Sequence, residues 1–299
     1  MTAFSNSENH GQGEDQASRL REMIASEAMA ATPLRVIAVC SGKGGVGKTH
    51  ISANLAVLAA KKGLRVLILD ADLGLANVEI LYGIKPRYNI SHLLEGSLPI
   101  EQILAQGPHG ICVLPSVSGV QGLSRLDDAQ KLRLVTALDP LEDRFDLVVI
   151  DASAGIGENV MFFTSAAQEA LLVVTPEPTS FTDAYATVKV LCQQAGVRHF
   201  SVIVNQAPSE AAARDLYGKL TQVTERFLSA QMRYVGWLPR DENVHRAAMA
   251  QRPLVDLYPA SPSARALAVV ATKIFDEPPP VPMDGGLKFL WQRLFREAR

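Results

Sequence analysis

A glycine-rich stretch with two lysines is the part of the chain whose residue types and spacing most directly indicate chemistry. It runs Ser41-Gly42-Lys43-Gly44-Gly45-Val46-Gly47-Lys48-Thr49 and fits the pattern G-x-x-x-x-G-K-[ST]. Glycines let the backbone turn with its N–H groups pointing inward, where a side chain would block a phosphate. Lys48 would reach the β- and γ-phosphates of a nucleotide, and the Thr49 hydroxyl would bind Mg²⁺. The stretch therefore predicts a phosphate-binding loop.

Lys43 is a second lysine in this loop and follows its first glycine. Two ammonium groups in one tight loop repel each other unless a polyanion lies between or beside them. We therefore expect Lys43 to contact a phosphate rather than to serve packing.

Carboxylates follow two of the apolar runs. Asp70 and Asp72 come after the run 64–69, and Asp151 follows the run 145–150 and precedes glycines. Ligands of an open α/β sheet bind at the carboxyl ends of its strands. We therefore expect these carboxylates beside the phosphate loop, with Asp151 facing Mg²⁺.

An amide also ends a short apolar run, 202–204, at Asn205. Its side chain carries both a donor and an acceptor, which suits the recognition of adenine. A turn-forming asparagine is the alternative.

The phosphate loop and the carboxylates need a sheet to position them, and the pattern of the chain supplies one. Apolar runs predict strands at 36–40, 64–69, 111–114, 145–150, 170–174, 202–204 and 234–238. Helical patterns cover 51–62, 127–138, 181–193, 210–229, 243–250 and 263–275, with short helices in 89–106. This alternation predicts an α/β fold: one doubly wound, mostly parallel sheet with helices on both faces, spanning 34–275.

Composition limits the function classes. Hydrophobic residues make up 47% of the 299, which is ample for a core, and a net charge of −2 argues against a protein that coats nucleic acid. Cys40, Cys112 and Cys192 lie far apart in apolar runs and are expected to be reduced, buried thiols of a cytoplasmic protein. Without a C-x-x-C pair, an iron–sulfur carrier is disfavoured.

The two ends of the chain differ from its centre. Residues 1–33 are expected to be flexible apart from one short helix. This helix has two possible roles, packing on the main domain or docking to a partner. A Pro/Gly-rich linker, 276–286, precedes residues 287–299. In this last segment a helix would gather Leu287, Leu290, Trp291, Leu294 and Phe295 on one face, rimmed by basic residues. That arrangement suits an anionic membrane surface, and packing back on the domain is the alternative.

The phosphate loop resembles the deviant P-loop, K-G-G-x-x-G-K-T, of the MinD/ParA ATPases (SIMIBI class), over roughly residues 34–275. The resemblance implies an ATP-dependent homodimer in which Lys43 crosses to the partner's nucleotide, and it makes Lys43, Lys48 and Asp72 the catalytic residues. Asp72 would position the attacking water. Mg²⁺ would lie near Thr49, Asp70 and Asp151, and Asp151 and Gly155 match the family's D-x-x-x-G.

The same resemblance places adenine at Asn205 and at Pro239-Arg240-Asp241, which is similar to the family's I-P-x-D loop. The nucleotide contacts expected from sequence are Gly42, Lys43, Gly44, Gly45, Val46, Gly47, Lys48, Thr49, His50, Asn205, Pro239 and Asp241.

Two stretches are similar to the FlhG/FleN branch, which regulates flagellar number. Asp70-Ala71-Asp72-Leu73-Gly74-Leu75-Ala76-Asn77 is one, and Asp-Gln-Ala-x-x-Leu-Arg at 15–21 is the other. The second implies docking to an FlhF-type GTPase through Asp15, Gln16, Ala17, Leu20 and Arg21. The branch also implies a FleQ-type transcription regulator as partner, a place in the cytoplasm and at the inner face of the cell membrane, and no direct contact with nucleic acid.

Three other functions remain compatible with the sequence. A ParA-type partition ATPase would share the core but need a basic stripe for DNA. A MinD-type cell-division regulator would share the terminal helix but lack the Asp-Gln-Ala element. A nucleotide-gated anti-activator would restrain transcription with hydrolysis incidental.

Overall fold

The computed structural model describes residues 34–74, 76–117 and 125–277. The predicted docking helix around Asp15–Arg21, the body of the linker and the helix predicted at 287–299 lie outside these described residues.

Eight strands and eleven α-helices alternate along the described chain. The strands are β1 (Arg35–Ser41), β2 (Val66–Ala71), β3 (Ala105–Gln106), β4 (Cys112–Leu114), β5 (Leu147–Ala154), β6 (Glu169–Val174), β7 (His199–Ala207) and β8 (Gln231–Pro239). The helices are α1 (Lys48–Lys61), α2 (Val78–Tyr82), α3 (Ile90–Leu94), α4 (Ile100–Ile103), α5 (Asp128–Leu138), α6 (Glu158–Ala166), α7 (Pro178–Gln194), α8 (Glu210–Leu228), α9 (Glu242–Met249), α10 (Leu254–Leu257) and α11 (Pro262–Phe275).

The strands form one sheet in the order β3-β4-β2-β5-β1-β6-β7-β8. Every neighbouring pair is parallel except β3 and β4. In the register of β2 and β5, Asp70 pairs with Asp151, and β1 lies on the other side of β5. The two predicted carboxylates and the phosphate loop therefore share the carboxyl edge of the sheet, as expected for this class of fold.

Helices cover both faces because the central strands are apolar on both sides. Along β1, Ile37 and Val39 pack toward α1 and α11, while Val36 and Ala38 pack toward α5 and α6. Beyond β1, the second face is completed by α7 and α8 over β6 and β7. This packing confirms the predicted doubly wound α/β class, with β3 as a short antiparallel addition at one edge.

Several elements differ from the sequence expectation. The helices α2, α6 and α10 were not predicted, and β5 continues past Asp151 to Ala154. Cys40 and Cys192 are buried as expected, but Cys112 at the edge of the sheet is only partly buried. Among the described residues, no helix is both long and apolar enough to cross a bilayer.

Candidate active site

The phosphate loop joins the end of β1 to the start of α1. Gly45 and Gly47 have φ values of 78° and 94°, in the left-handed region that favours glycine. A Cβ atom added to Gly44 or Gly45 would meet nothing within 4 Å. The space beside Gly44 and Gly45 is therefore free of protein atoms, as a loop that binds phosphate oxygens through its backbone N–H groups requires.

Neighbouring elements hold the loop in place. A Cβ on Gly42 would lie 2.2 Å from the backbone carbonyl of Asp183, so the loop packs against the backbone of α7. On the other side, Asn205 Nδ2 donates to the carbonyl oxygen of Val46 at 2.7 Å. The same amide nitrogen would meet a Cβ on Gly47 at 2.5 Å. The glycines at both ends of the loop are thus required by close packing as well as by turn geometry.

Lys48 lies at the start of α1 and is 9% exposed. Burial raises the pKa values of the nearby carboxyl groups of Asp72 and Asp151, and the positive charge of the Lys48 ammonium group lowers them in part. None of the ion pairs among the described residues includes Lys48. This cation is therefore poised to receive an anion.

Asp151 lies beneath the loop and is almost completely buried. Its carboxylate accepts hydrogen bonds from the hydroxyl of Ser52, at 2.8 Å, and from the side chain of Thr49. Burial, with a smaller contribution from the negative charge of Asp72, raises the pKa of Asp151 to about 6. Burial and the neighbouring Asp151 raise the pKa of Asp70 to about 8. A hydroxyl and a carboxylate beside a phosphate loop fit Mg²⁺, which takes few protein ligands and keeps waters and phosphate oxygens.

Asp72 carries a half-buried carboxylate, and the described residues 72–74, 76 and 77 are named here the Asp72 loop. Its carboxylate accepts hydrogen bonds from the side-chain amide of Asn77, at 3.4 Å, and from the backbone N–H of Gly74. The hydroxyl of Ser116 donates to the backbone carbonyl of Asp72 at 2.6 Å. The sequence-predicted Asp72 is therefore held near Lys48 at the carboxyl edge.

Asp70 lies at the carboxyl edge of the sheet as expected, and its hydrogen-bond partners belong to its own chain. It is fully buried, and its two oxygens accept hydrogen bonds from three backbone N–H groups of the chain that follows it. This setting disfavours the expected contact with Mg²⁺, because neither oxygen faces open space.

Lys43 has a partner within its own chain. Its ammonium group lies 2.6 Å from Glu177 Oε2 and 3.0 Å from Thr179 Oγ1, and it lowers the pKa of Glu177. Both partners belong to the junction between β6 and α7. In this conformation a carboxylate compensates the charge of Lys43, and its expected contact with a phosphate stays a prediction.

A cavity of about 450 Å³ opens beside the loop. Its lining includes the expected residues His50, Asn205, Pro239 and Asp241, and also residues that sequence reasoning missed: Leu81, Gln206, Leu238, Val244 and His245. A mostly apolar pocket with a few polar groups next to a phosphate loop fits a nucleoside.

The polar groups of the cavity are already oriented. Asn205 Oδ1 accepts from the Gln206 backbone N–H at 2.9 Å, so its amide faces in a fixed direction. Asp241 accepts backbone hydrogen bonds from Asn243, at 2.9 Å, and Ser263, at 3.0 Å. It therefore caps α9 and α11 as well as lining the cavity. Burial lowers the pKa of His50 to about 4, so this imidazole is neutral at physiological pH.

Two features of the site had only weak sequence signals. Gln206 has a φ of 58°, a conformation that a sequence does not reveal for a residue other than glycine. Glu177 follows the strand β6, and its place at a strand end was the available clue, as it was for the aspartates.

These features together define a P-loop nucleoside triphosphatase site on an open parallel sheet. The sequence model of the CobQ/CobB/MinD/ParA nucleotide binding domain matches residues 37–254. The chain is 44% identical to antiactivator FleN of Pseudomonas aeruginosa, over 88% of this chain and 94% of that protein. It is 31% identical to flagellum site-determining protein YlxH of Helicobacter pylori, over 88% and 90%.

Solved structures agree with this assignment. The MinC:MinD cell division protein complex of Aquifex aeolicus matches with a TM-score of 0.68 and 29% identity, over 83% of this chain and 98% of that one. The chain belongs to the MinD/ParA family of P-loop ATPases, in its FlhG/FleN branch.

Proposed function

We propose that this ATPase is a dimerising switch that regulates the number or placement of flagella and the expression of flagellar genes. The observation that carries the proposal is the pair of lysines in one phosphate loop: Lys48 is buried beneath the open loop, whereas Lys43 lies at its exposed rim. Similarity to an antiactivator and to a flagellum site-determining protein supports the flagellar context.

ATP would bind with its phosphates on the loop from Gly42 to Thr49 and its base in the cavity beside Asn205. Lys48 would contact the β- and γ-phosphates. Mg²⁺, held by Thr49 and Asp151, would neutralise charge on the phosphates. Asp72 would accept a hydrogen bond from the attacking water and aim it at the γ-phosphorus, so that ADP leaves as the water oxygen bonds to phosphorus.

Lys43 would act between two subunits. Its side chain is 37% exposed and reaches the rim of the loop, so it could contact a nucleotide held by a second copy. To do so it must leave Glu177 and Thr179. The ATP-bound state would therefore be a dimer, and hydrolysis would return it to monomers.

Two further parts of the proposal concern segments outside the described residues. Residues 15–21 would dock on an FlhF-type GTPase, and residues 287–299 would bind an anionic membrane surface more strongly in the dimer, because two copies act together. A FleQ-type transcription regulator is the expected partner for gene expression.

Size-exclusion chromatography with light scattering tests the switch. Wild-type protein should be dimeric with ATP and Mg²⁺ and monomeric with ADP. The Lys43→Ala variant should bind ATP yet stay monomeric, and Asp72→Ala should dimerise with ATP but release phosphate slowly. A Lys43→Ala protein that still dimerises would refute the proposed contact between subunits.

The membrane and partner segments need their own measurements. Vesicle sedimentation should show ATP-dependent pelleting with anionic lipid, lost on deletion of 287–299, and equal pelleting with ADP would contradict it. A peptide of residues 9–30 should raise the GTPase rate of the partner, and no stimulation by peptide or whole protein would reject the docking role.

A nucleotide-gated anti-activator remains the second candidate, favoured by the similarity to antiactivator FleN. The Asp72→Ala variant separates the two. If it restrains flagellar gene expression as well as wild type does, nucleotide binding suffices and hydrolysis only resets the switch.

A further inference from the structure

Asp70 joins the two ends of the Asp72 loop. It lies in β2, and its Oδ1 accepts from the backbone N–H of Asp72 at 3.2 Å. Its Oδ2 accepts from the backbone N–H groups of Asn77, at 2.8 Å, and Val78, at 3.1 Å. One carboxylate on a rigid strand therefore fixes the first residue of the loop and the last, together with the start of α2.

The orientation of Asp72 depends on this closure. Its carboxylate is held by Gly74 and Asn77, which belong to the same loop. If the end of the loop at Asn77 moved away from β2, the carboxylate of Asp72 would move with it. Ser116 holds only the backbone carbonyl of Asp72 and does not set the direction of the side chain.

The helix α2, which follows the Asp72 loop, links the contacts of Asp70 to the cavity. Val78 is fully buried, Tyr82 Oη donates to the backbone carbonyl of Ala53 at 2.8 Å, and Leu81 lines the cavity. The short helix is therefore fixed at its start by Asp70 and at its end by α1. Hydrogen bonds to Asp70 and the short helix α2 consequently connect the described ends of the Asp72 loop to the wall of the cavity at Leu81.

We propose that Asp70 is a positioning residue for ATP hydrolysis, which holds the Asp72 loop closed and thereby aims Asp72, and that it is not a ligand of Mg²⁺. A ligand needs an oxygen directed at the metal, whereas both oxygens of Asp70 receive backbone N–H groups and the side chain has no exposed surface. The proposal rests on the role proposed for Asp72.

Steady-state kinetics on Asp70→Asn and Asp70→Ala separate positioning from ligation. The asparagine keeps one acceptor oxygen and the alanine keeps none, so kcat should fall by about tenfold and then further, toward about 100-fold, as a displaced catalytic group predicts. The KM for ATP and the Mg²⁺ concentration for half-maximal activity should stay within about twofold of wild type. The reference variant Asp151→Asn should instead shift the Mg²⁺ requirement.

Hydrogen–deuterium exchange of the protein without nucleotide provides a readout that does not involve catalysis. In the wild type, the amides of Asp72, Asn77 and Val78 should exchange more slowly than amides of exposed loops, which requires no variant. In Asp70→Asn, exchange should accelerate in the peptide that covers 71–78 and stay unchanged elsewhere. The matched control is Glu169→Gln, a buried carboxylate at the opposite edge of the sheet, which should leave this peptide unchanged.

The outcomes are distinct. Fast exchange of these amides in the wild type, or a raised Mg²⁺ requirement with kcat recovered at high Mg²⁺ in Asp70→Asn, would overturn the positioning role. Normal hydrolysis by Asp72→Ala would defeat the role proposed for Asp72, while local protection of residues 72, 77 and 78 would still establish the closure by Asp70.

Discussion

Charged side chains at the amino ends of the parallel strands (the amino edge) differ in their partners from those at the carboxyl ends (the carboxyl edge). At the amino edge, charges are paired: the buried Arg35 with Glu169, at 2.5 Å, and the exposed Arg65 with the partly buried Asp146, at 2.7 Å. The helix α11 ends at the same edge, where Arg35 and Arg233 donate to its last carbonyls and Lys62 pairs with Asp276. At the carboxyl edge, the buried carboxyl groups of Asp70 and Asp151 are neighbours, and neither they nor Lys48 form an ion pair with a described residue.

This difference separates stability from function within one sheet. At the amino edge each charge has a partner in the folded chain, so that removing one partner is costly. At the carboxyl edge, a buried lysine and buried carboxyl groups without ionic partners leave room for a ligand to supply the missing interactions. The charged groups of the amino edge thus have their partners without a ligand, whereas those of the carboxyl edge need a ligand to compensate them.

Glu169→Ala should cause the largest loss of stability. Glu169 is fully buried, so its removal leaves Arg35 as an uncompensated buried charge, which costs about 3–5 kcal/mol. Urea unfolding measures this loss, and calorimetry should show ATP affinity within about twofold of wild type. The double variant Arg35→Met/Glu169→Leu should recover most of the loss. A strong loss of ATP affinity in Glu169→Ala would show that the two edges are not independent.

Lys48→Ala should have the opposite pattern, a loss of ATP affinity with little change in stability. It removes a charged hydrogen-bond donor from the phosphates, worth about 1.5–3 kcal/mol, so ATP affinity should fall by about 10- to 100-fold or more. The unfolding free energy without nucleotide should change by less than about 1 kcal/mol. The control is Lys62→Ala, which breaks an exposed pair at the amino edge and should affect neither quantity strongly. Unchanged ATP affinity in Lys48→Ala would contradict the assignment.

Raising the pH should destabilise the protein without nucleotide. Burial raises the pKa of Asp70 to about 8 and that of Asp151 to about 6, so the folded pair binds protons more tightly than the unfolded chain does. Its stabilising contribution is full below the ordinary carboxyl pKa of about 4 and is lost as the pH rises. We expect a loss of about 1–2 kcal/mol between about pH 6.5 and pH 8.

Below about pH 6.5, His50 has the opposite effect on the unfolding free energy. Its pKa is lowered to about 4, so its contribution is present above its ordinary value of 6.5 and declines as the pH falls below that. Chemical unfolding at several pH values measures the slope, and Asp151→Asn should flatten it. A stability that rises from pH 6.5 to pH 8 would disprove the coupling of the two carboxyl groups.

Glu177→Gln should have the smallest effect. Both partners of this ion pair are partly exposed, so releasing Lys43 costs little, on the order of 0.2–1 kcal/mol. Removing the charge should lower the ATP concentration for half-maximal dimerisation by up to about fivefold. Light scattering across an ATP titration measures it, with Glu210→Gln in α8 as a control. Weaker dimerisation would mean that Glu177 serves the dimer rather than the monomer.

The sequence predicted the doubly wound class because the loop, the apolar runs and the helical patterns agree with one another. It located Lys48, Asp72, Asp151 and Asn205 at strand or helix ends, and the structure brings these ends together at one edge. Short elements escaped prediction, since the five residues of α2 carry too little periodicity to be recognised.

The partners that Asp70 and Lys43 have in this structure were not predicted. The partners of Asp70 are backbone N–H groups two to eight residues further along the chain, and the partner of Lys43 is Glu177, more than a hundred residues away. Side-chain type shows what a residue can bind, but the group that it contacts depends on the local course of the backbone for Asp70 and on tertiary contacts for Lys43. The resemblance to a family emphasised ligands and did not indicate contacts made in the nucleotide-free monomer.

Gly44 differs from the other glycines of the phosphate loop in what demands it. Gly42 is crowded by α7, and Gly45 and Gly47 have positive φ values, whereas Gly44 has neither constraint. A Cβ atom there would meet nothing within 4 Å, so we expect a side chain at this position to affect phosphate binding rather than folding. Substitutions at this position should therefore be tolerated in a selection for folding and rejected in a selection for ATP binding. A library randomised at residue 44 would distinguish these two requirements at a single position.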